Sequence, residues 1–397
     1  MRTLRSTLGH TRTGGASARL IIALALLASG CGESSGPSAP ASAPASTPSS
    51  TPAPPPSDAT SQVNAGPTVV SLVTYDGSGQ AVHPDIAFTP IGWGDVTTHV
   101  VATPYPGGQT RFENPSYYDM LSASAWVAPA SGTNPVAMPV AGAYLSDPDM
   151  VYDPDTRMLS VYYREVTSDS NRIDLIRSKD GAHWSEKVVV VSVPRHFAIS
   201  PSVVRRSASD WIMWTVNGGT AGCTATETTV DVRHSTDGVT WGPAETTRVG
   251  RNGEYPWHID VEWIPSRHEY WGVYNAKTRG SCMTDVVRFA TSQDGVSWTE
   301  YPSPLLRAGA IPAFADVVYR SSLAYDPITN MVTLLYSGAR EDNGSYTWEV
   351  ATEQLDRLAL MARITAPSQP TTHSHLPHRA HAPGVRRAPK LTNETAP

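Results

Sequence analysis

From residue 67 onward, turn residues cut the chain at even intervals into short runs rich in aromatic and β-branched side chains. Met158–Tyr163, Trp211–Trp214, Tyr270–Tyr274 and Met331–Tyr336 are such runs. Short apolar runs bounded by turn signals predict strands, and no segment reads as an amphipathic helix of useful length. A second series of runs stands ahead of these, each opening on a repeated motif. The five copies are His83-Pro84-Asp85, Asp147-Pro148-Asp149, Ser200-Pro201-Ser202, His258-Ile259-Asp260 and Arg320-Ser321-Ser322. Turns such as Asp153-Pro154-Asp155 and Asp326-Pro327-Ile328 separate the two series, with Pro presetting the turn dihedral.

Another repeat lies later in the units. Ser178–Trp184, Ser235–Trp241 and Ser292–Trp298 share Ser, Asp-Gly and Trp at the same offsets, and their Trp residues stand 57 apart. Ser122–Trp126 is a degenerate copy, 58 residues upstream of the first. Asp-Gly supplies a tight hairpin turn, and the Trp packs back onto its own sheet. Repetition at this period, with four strands to a unit, predicts an all-β fold, a five-bladed β-propeller over 67–365. Residues 67–77 form an additional strand of the kind that closes a propeller ring. The pattern leaves open which terminus does so.

Composition sets the ends apart. Residues 1–31 carry Arg2, Arg5, Arg12 and Arg19, no acid, and the apolar run Leu20–Leu27. A basic start, a short apolar run and small residues make an export signal. Ala28-Ser29-Gly30-Cys31 resembles a bacterial lipobox, which implies lipidation of Cys31; ordinary cleavage is the alternative. Residues 32–66 are a Pro/Ser/Ala-rich linker, too polar to offset the entropy of ordering. Residues 366–397 read as a disordered basic tail. Because both ends are accounted for, 67–365 carries a net charge of −11. That makes a poor nucleic-acid binder and suits a neutral or cationic ligand better than a polyanion. The expected location is the extracytoplasmic side of the cell membrane, reached only through a lipid anchor, as a monomer.

Apart from Cys31 the cysteines are Cys223 and Cys282, 59 residues apart and close to one blade period. Equivalent loops of adjacent blades are neighbours, and export places the protein in an oxidising compartment. A Cys223–Cys282 disulfide is therefore expected.

Candidate chemistry follows from the leading strands, which line a propeller channel. Side chains on either side of the middle residue of each motif share a face. This gives an outer tier of His83, Asp147, Ser200, His258 and Arg320, and an inner tier of Asp85, Asp149, Ser202, Asp260 and Ser322. Crowded carboxylates repel and raise a pKa. The same face collects Glu113-Asn114, Arg164-Glu165 and Trp257, and aromatics beside carboxylates and amides suit sugar rings. Asp180, Asp237 and Asp294 fall on the opposite face and read as structural.

The Ser, Asp-Gly, Trp copies resemble the Asp-box of bacterial sialidases and other propellers. The stretch holding His83-Pro84-Asp85, Thr103-Pro104-Tyr105-Pro106, Glu113-Asn114-Pro115-Ser116 and Asp147-Pro148-Asp149 is similar to bacterial propellers related to the furanosidase superfamily. That superfamily holds arabinanases, family 43 glycoside hydrolases and invertases. The resemblance covers about residues 80–365. It implies an Asp base in the first blade, a pKa-tuning Asp in the second and a Glu acid in the third. Asp147, directly before Pro148, matches the second. The first-blade position before Pro holds His83, so Asp85 takes the base role. The third-blade position holds Ser200, and Glu113 stands in as the acid. His83, Asn114, Asp149, Trp257, His258, Asp260 and Arg320 are the expected substrate contacts. No cofactor and no catalytic metal are implied, although several members hold a structural cation in the channel. Two functions fit: a glycoside hydrolase acting on a glycan at the channel mouth, or a carbohydrate-binding or scaffold lipoprotein that has lost the acid.

Overall fold

The computed structural model describes residues 66–250, 253–278 and 283–367. Cys31, the linker up to residue 65, Cys282 and the tail from residue 368 lie outside them.

Five antiparallel sheets follow one another along the chain. Blade one holds β2 (Ala81–Phe88), β3 (Thr98–Pro104), β4 (Ser116–Ser122) and β5 (Ala125–Val127), after a short β1 (Thr68–Val69). Blade two holds β6 (Tyr144–Asp153), β7 (Met158–Val166), β8 (Ser170–Ser178) and β9 (Val188–Pro194). Blade three holds β10 (Ile199–Ser207), β11 (Asp210–Asn217), β12 (Thr229–Ser235) and β13 (Glu245–Thr247). Blade four holds β14 (Glu254–Ile264), β15 (Glu269–Thr278), β16 (Val286–Ser292), β17 (Trp298–Glu300) and β18 (Leu306–Arg307). Blade five holds β19 (Val317–Val318), β20 (Ser322–Asp326), β21 (Met331–Asp342) and β22 (Ser345–Asp356). The first strands β2, β6, β10, β14 and β20 neighbour one another in that order, and β20 returns to β2. The result is the five-bladed propeller that the repeats predict.

The terminus that closes the ring is the N-terminal one. Strand β1 pairs antiparallel with β22, Thr68 opposite Thr352, and becomes the outer strand of blade five. Just behind it, Val70 and Leu72 enter the core.

One expectation needs correction: a helix, α1 (Arg357–Thr365), follows β22. Asp356 caps it by accepting from the Ala359 amide at 2.8 Å. Leu360 and Ile364, one turn apart, are fully buried against blades four and five. Two buried positions in nine residues make too short an apolar stripe to stand out in the sequence.

The Asp-boxes join blade to blade. Gly181 and Gly238 sit at φ +73 and +69, where only glycine is unstrained. A Cβ on Gly181 would lie 2.6 Å from the Tyr117 hydroxyl of blade one. One on Gly238 would lie 2.8 Å from the Tyr162 hydroxyl of blade two, which itself donates to the Gly238 carbonyl at 2.7 Å. Asp237 Oδ1 accepts from the Val239 and Thr240 amides of its own hairpin.

Candidate functional site

The leading strands are not regular where their motifs begin. The pairing slips between Val82 and Asp85, between Ser146 and Asp149, and between Ile199 and Ser202. At these bulges His83, Asp147 and Ser200 take φ of +53, +50 and +53. Left-handed backbone costs an L-residue roughly 1–2 kcal/mol, and a following proline restricts it further. Strain repeated at three equivalent positions marks them for function.

The bulges bring both tiers together. One ligating atom from each of His83, Asp147 and His258 lies within 4.8 Å of the others, and Asp85, Asp149 and Asp260 form a second such group. All six residues are buried. The sequence assigned no metal ligands, yet both groups have the donor atoms and spacing of cation sites.

The two groups differ in how their atoms are used. In the inner group each carboxylate braces the next blade. Asp85 Oδ2 accepts from the Met150 amide at 2.6 Å, Asp149 Oδ2 from Val203 at 2.9 Å, and Asp260 Oδ2 from Leu323 at 2.9 Å. Ser202 Oγ does the same for Val261 at 2.9 Å, filling in blade three the place an Asp holds elsewhere. Arg320, expected in the outer tier, reaches this group instead. Its long, fully buried side chain donates to the Pro201 carbonyl at 3.2 Å and stands 3.9 Å from Asp149 Oδ1. Burial and the neighbouring acids push Asp85 and Asp149 well above the usual carboxylate range, against the pull of Arg320.

The outer group is open. His83 Nε2 lies 3.3 Å and His258 Nδ1 3.2 Å from Asp147 Oδ1. None of the three atoms has a hydrogen-bond partner, because none of the contacts is aligned as one. The other nitrogen of His83 faces a hydroxyl, and the hydroxyl's own contact favours one tautomer. Thr103 Oγ1 donates to the Val82 carbonyl at 3.3 Å, so at 3.2 Å it accepts from His83 Nδ1–H. In that tautomer Nε2 presents its lone pair toward Asp147. Burial holds both imidazoles below their ordinary pKa, only partly offset by Asp147. Burial works against the Asp147 charge too, but His83, Arg164 and His258 outweigh it and hold the carboxyl well below its ordinary range. With neutral imidazoles, the Arg164 Nη1 contact to Asp147 Oδ2 at 2.6 Å is the decisive one.

Glu113 joins this group from the loop before β4. It is buried beside Ser146, and burial together with the Asp147 charge pushes its carboxyl well above the usual range. Asn114 is turned away: its Nδ2 donates to the Tyr75 hydroxyl at 2.7 Å. Trp257 is wall, buried in the blade three–four core with the Lys277 ammonium 5.1 Å from its ring. Its Nε1 donates to the Tyr319 hydroxyl at 3.1 Å. Tyr319 was not singled out by the sequence, yet its ring centroid is 4.5 Å from that of His258 and 5.4 Å from that of His83. The signal was present, since Tyr319-Arg320 repeats the aromatic–basic pair Trp257-His258 one blade later.

No family model matches the chain. An A type blood N-acetyl-α-D-galactosamine deacetylase of Flavonifractor plautii is 28% identical over 62% of this chain, which spans 38% of that protein's length. The crystal structure of an N-acetylgalactosamine deacetylase from F. plautii, in complex with blood group B trisaccharide, superposes with a TM-score of 0.70 at 22% identity. It covers 75% of this chain and 96% of that one. The catalytic domain of a Coprinopsis cinerea α-L-arabinofuranosidase superposes with a TM-score of 0.52 at 13% identity, over 73% of this chain and 95% of that one. The fold is thus shared with furanosidase-type enzymes, as the motifs implied, and with a sugar deacetylase.

Proposed function

We propose that this protein is an exported carbohydrate deacetylase, which hydrolyses the amide of an N-acetylated sugar within a glycan. The observation that carries the reading is the convergence of three buried atoms without a hydrogen-bond partner, His83 Nε2, Asp147 Oδ1 and His258 Nδ1, beside Glu113, whose carboxyl pKa is pushed up by burial. Two neutral imidazoles and one carboxylate are the donor set of a divalent transition ion, and His83, Asp147 and His258 would hold it. Such an ion polarises a carbonyl and acidifies a bound water. The Thr103 hydroxyl orients His83, as outer-shell partners of metal-bound histidines do. Burial and the Asp147 charge favour the protonated form of Glu113, which can give its proton to the departing amine. The Tyr319 oxygen accepts from Trp257, so its own proton is free for a substrate oxygen. The 28% identity to a deacetylase supports the choice of an amide as the bond cleaved.

Asp147, and not Asp85, takes the central place in this reading, because Asp85 is committed to the Met150 amide. One observation favours glycoside cleavage as a second reading: Asp147 and Glu113 are carboxyls pushed apart in pKa, the division of roles that glycosidases use. The anchor at Cys31, export and a monomeric state belong to the proposal. So does a Cys223–Cys282 disulfide, supported by Lys277 of β15 donating to the Cys223 carbonyl at 2.7 Å, which ties that loop to blade four.

The test is product analysis. Oligosaccharides ending in N-acetylgalactosamine or N-acetylglucosamine should lose one acetyl group and release acetate with the sugar chain intact. D147N, H258A and E113Q should each lower the rate by roughly 10²-fold or more, measured on variants that still fold. Release of a monosaccharide in place of acetate would establish the glycosidase reading. Binding of the oligosaccharide without either product would leave a carbohydrate-binding protein.

A further inference from the structure

We propose that Arg164 sets the cation preference of the His83–Asp147–His258 group by keeping one carboxylate oxygen out of it. The inference rests on the reading above that a divalent ion is held there. Asp147 has two oxygens with different neighbours. Oδ1 faces the two imidazoles at 3.3 and 3.2 Å. Oδ2 accepts from Arg164 Nη1 at 2.6 Å.

The guanidinium cannot swing away. Arg164 Nε donates to Asn171 Oδ1 at 2.8 Å, and Asn171 Nδ2 donates to the Ala198 carbonyl at 2.7 Å. Asn171 is fully buried. The two residues lie on adjacent strands, β7 and β8, near the hairpin that joins them. A chain of three side chains therefore runs from the backbone of blade three to one oxygen of the site. Each link uses a charged or amide group with a fixed direction, so the chain holds an angle as well as a charge.

The consequence is chemical selectivity. Calcium takes six to eight oxygens, commonly with a carboxylate bound through both. Here the carboxylate offers one oxygen, and a fixed positive charge occupies the other. An ion content with two imidazole nitrogens and a single carboxylate oxygen, such as zinc, loses nothing by this. Arg164 is thus a positioning residue that acts through Asp147.

The experiment is a cation titration of the full chain after chelation, reading zinc and calcium affinities by calorimetry. Wild type should bind zinc far more tightly than calcium. In R164Q the freed oxygen and the lost charge should strengthen calcium binding and shrink the zinc-to-calcium ratio by roughly 10–100-fold, the usual reach of an outer-shell partner. R164K keeps the charge without the fork and should fall between the two. If R164Q fails to fold, N171A is decisive: it keeps the guanidinium but removes its anchor, and should also reduce the ratio. An unchanged ratio in a folded R164Q, or in N171A where R164Q does not fold, overturns the inference while leaving the cation site standing. Absence of zinc binding to wild type overturns the cation reading, and this inference with it.

Discussion

His83, Asp147 and Ser200 show how a single residue's backbone prepares a site. Each is a non-glycine residue at positive φ, directly before a proline, at the start of a leading strand. In a regular strand the side chain would follow the pleat; the bulge re-aims it. His196 has the same unusual sign, φ +68, and its ring lies against Gly222, where a Cβ would come within 2.9 Å. Burial, with Arg164 and Arg195 nearby, lowers its pKa to about 4 from 6.5. The folded value lies below the unfolded one, so the folded chain refuses a proton that the unfolded chain accepts. Stability from neutral His196 is complete above pH 6.5 and is lost as the pH falls toward 4. His83 and His258 are shifted in the same direction and steepen the loss. Chemical denaturation at stepped pH should show stability falling across this window, and H196Q should flatten the fall. An H196Q profile parallel to wild type would assign the loss elsewhere.

At the scale of the element, the Asp-boxes are the most visible motif and the furthest from the chemistry. Ser235 Oγ accepts from the Gly238 amide, and Asp237 Oδ1 from two more, so the hairpin is capped like a helix start. D237A removes the one oxygen that accepts from both amides and should cost about 0.5–2 kcal/mol, the range of a lost cap. Cation affinity and substrate turnover should remain those of wild type, since the hairpin joins the third and fourth strands while the site lies where the first strands begin. Lost binding at an unchanged melting temperature would mean that the hairpins and the site share a face. The inner Asp residues have a different use: Asp85, Asp149 and Asp260 tie each blade to the next through one backbone amide.

The whole molecule depends on closing its ring. Strand β1 supplies the outer edge of blade five, and α1 covers the seam between blades four and five. Ser303 of blade four donates to the Ala366 carbonyl just beyond α1. A chain cut to residues 66–367 should therefore melt with the stability of the longer chain. Removing residues 66–73 as well should cost roughly 3–6 kcal/mol for the loss of buried Val70 and Leu72, beyond the strand itself. Equal melting temperatures for the two fragments would show that β1 is dispensable.

The architecture is legible in the amino-acid order alone. A period of 57 residues, five leading motifs and Asp-Gly turns are local signals, and each blade is built mostly from neighbours along the chain. The same order also singled out His83, Asp85, Asp147, Asp149, His258 and Asp260, because repeat positions that face a shared axis can be aligned without coordinates, and Glu113 through the family resemblance. The division of labour among them is set only when the blades close around the axis. Asp85 and Asp147 look alike in the sequence, one residue from a proline in equivalent blades. One of them meets an amide of the next blade, and the other meets two imidazoles and a guanidinium. The two imidazoles come from blades one and four, far from Asp147 in the chain, so no local pattern encodes their meeting. The same holds for Tyr319, for the strand that closes the ring, and for α1, whose two buried residues become legible only against the sheets that cover them.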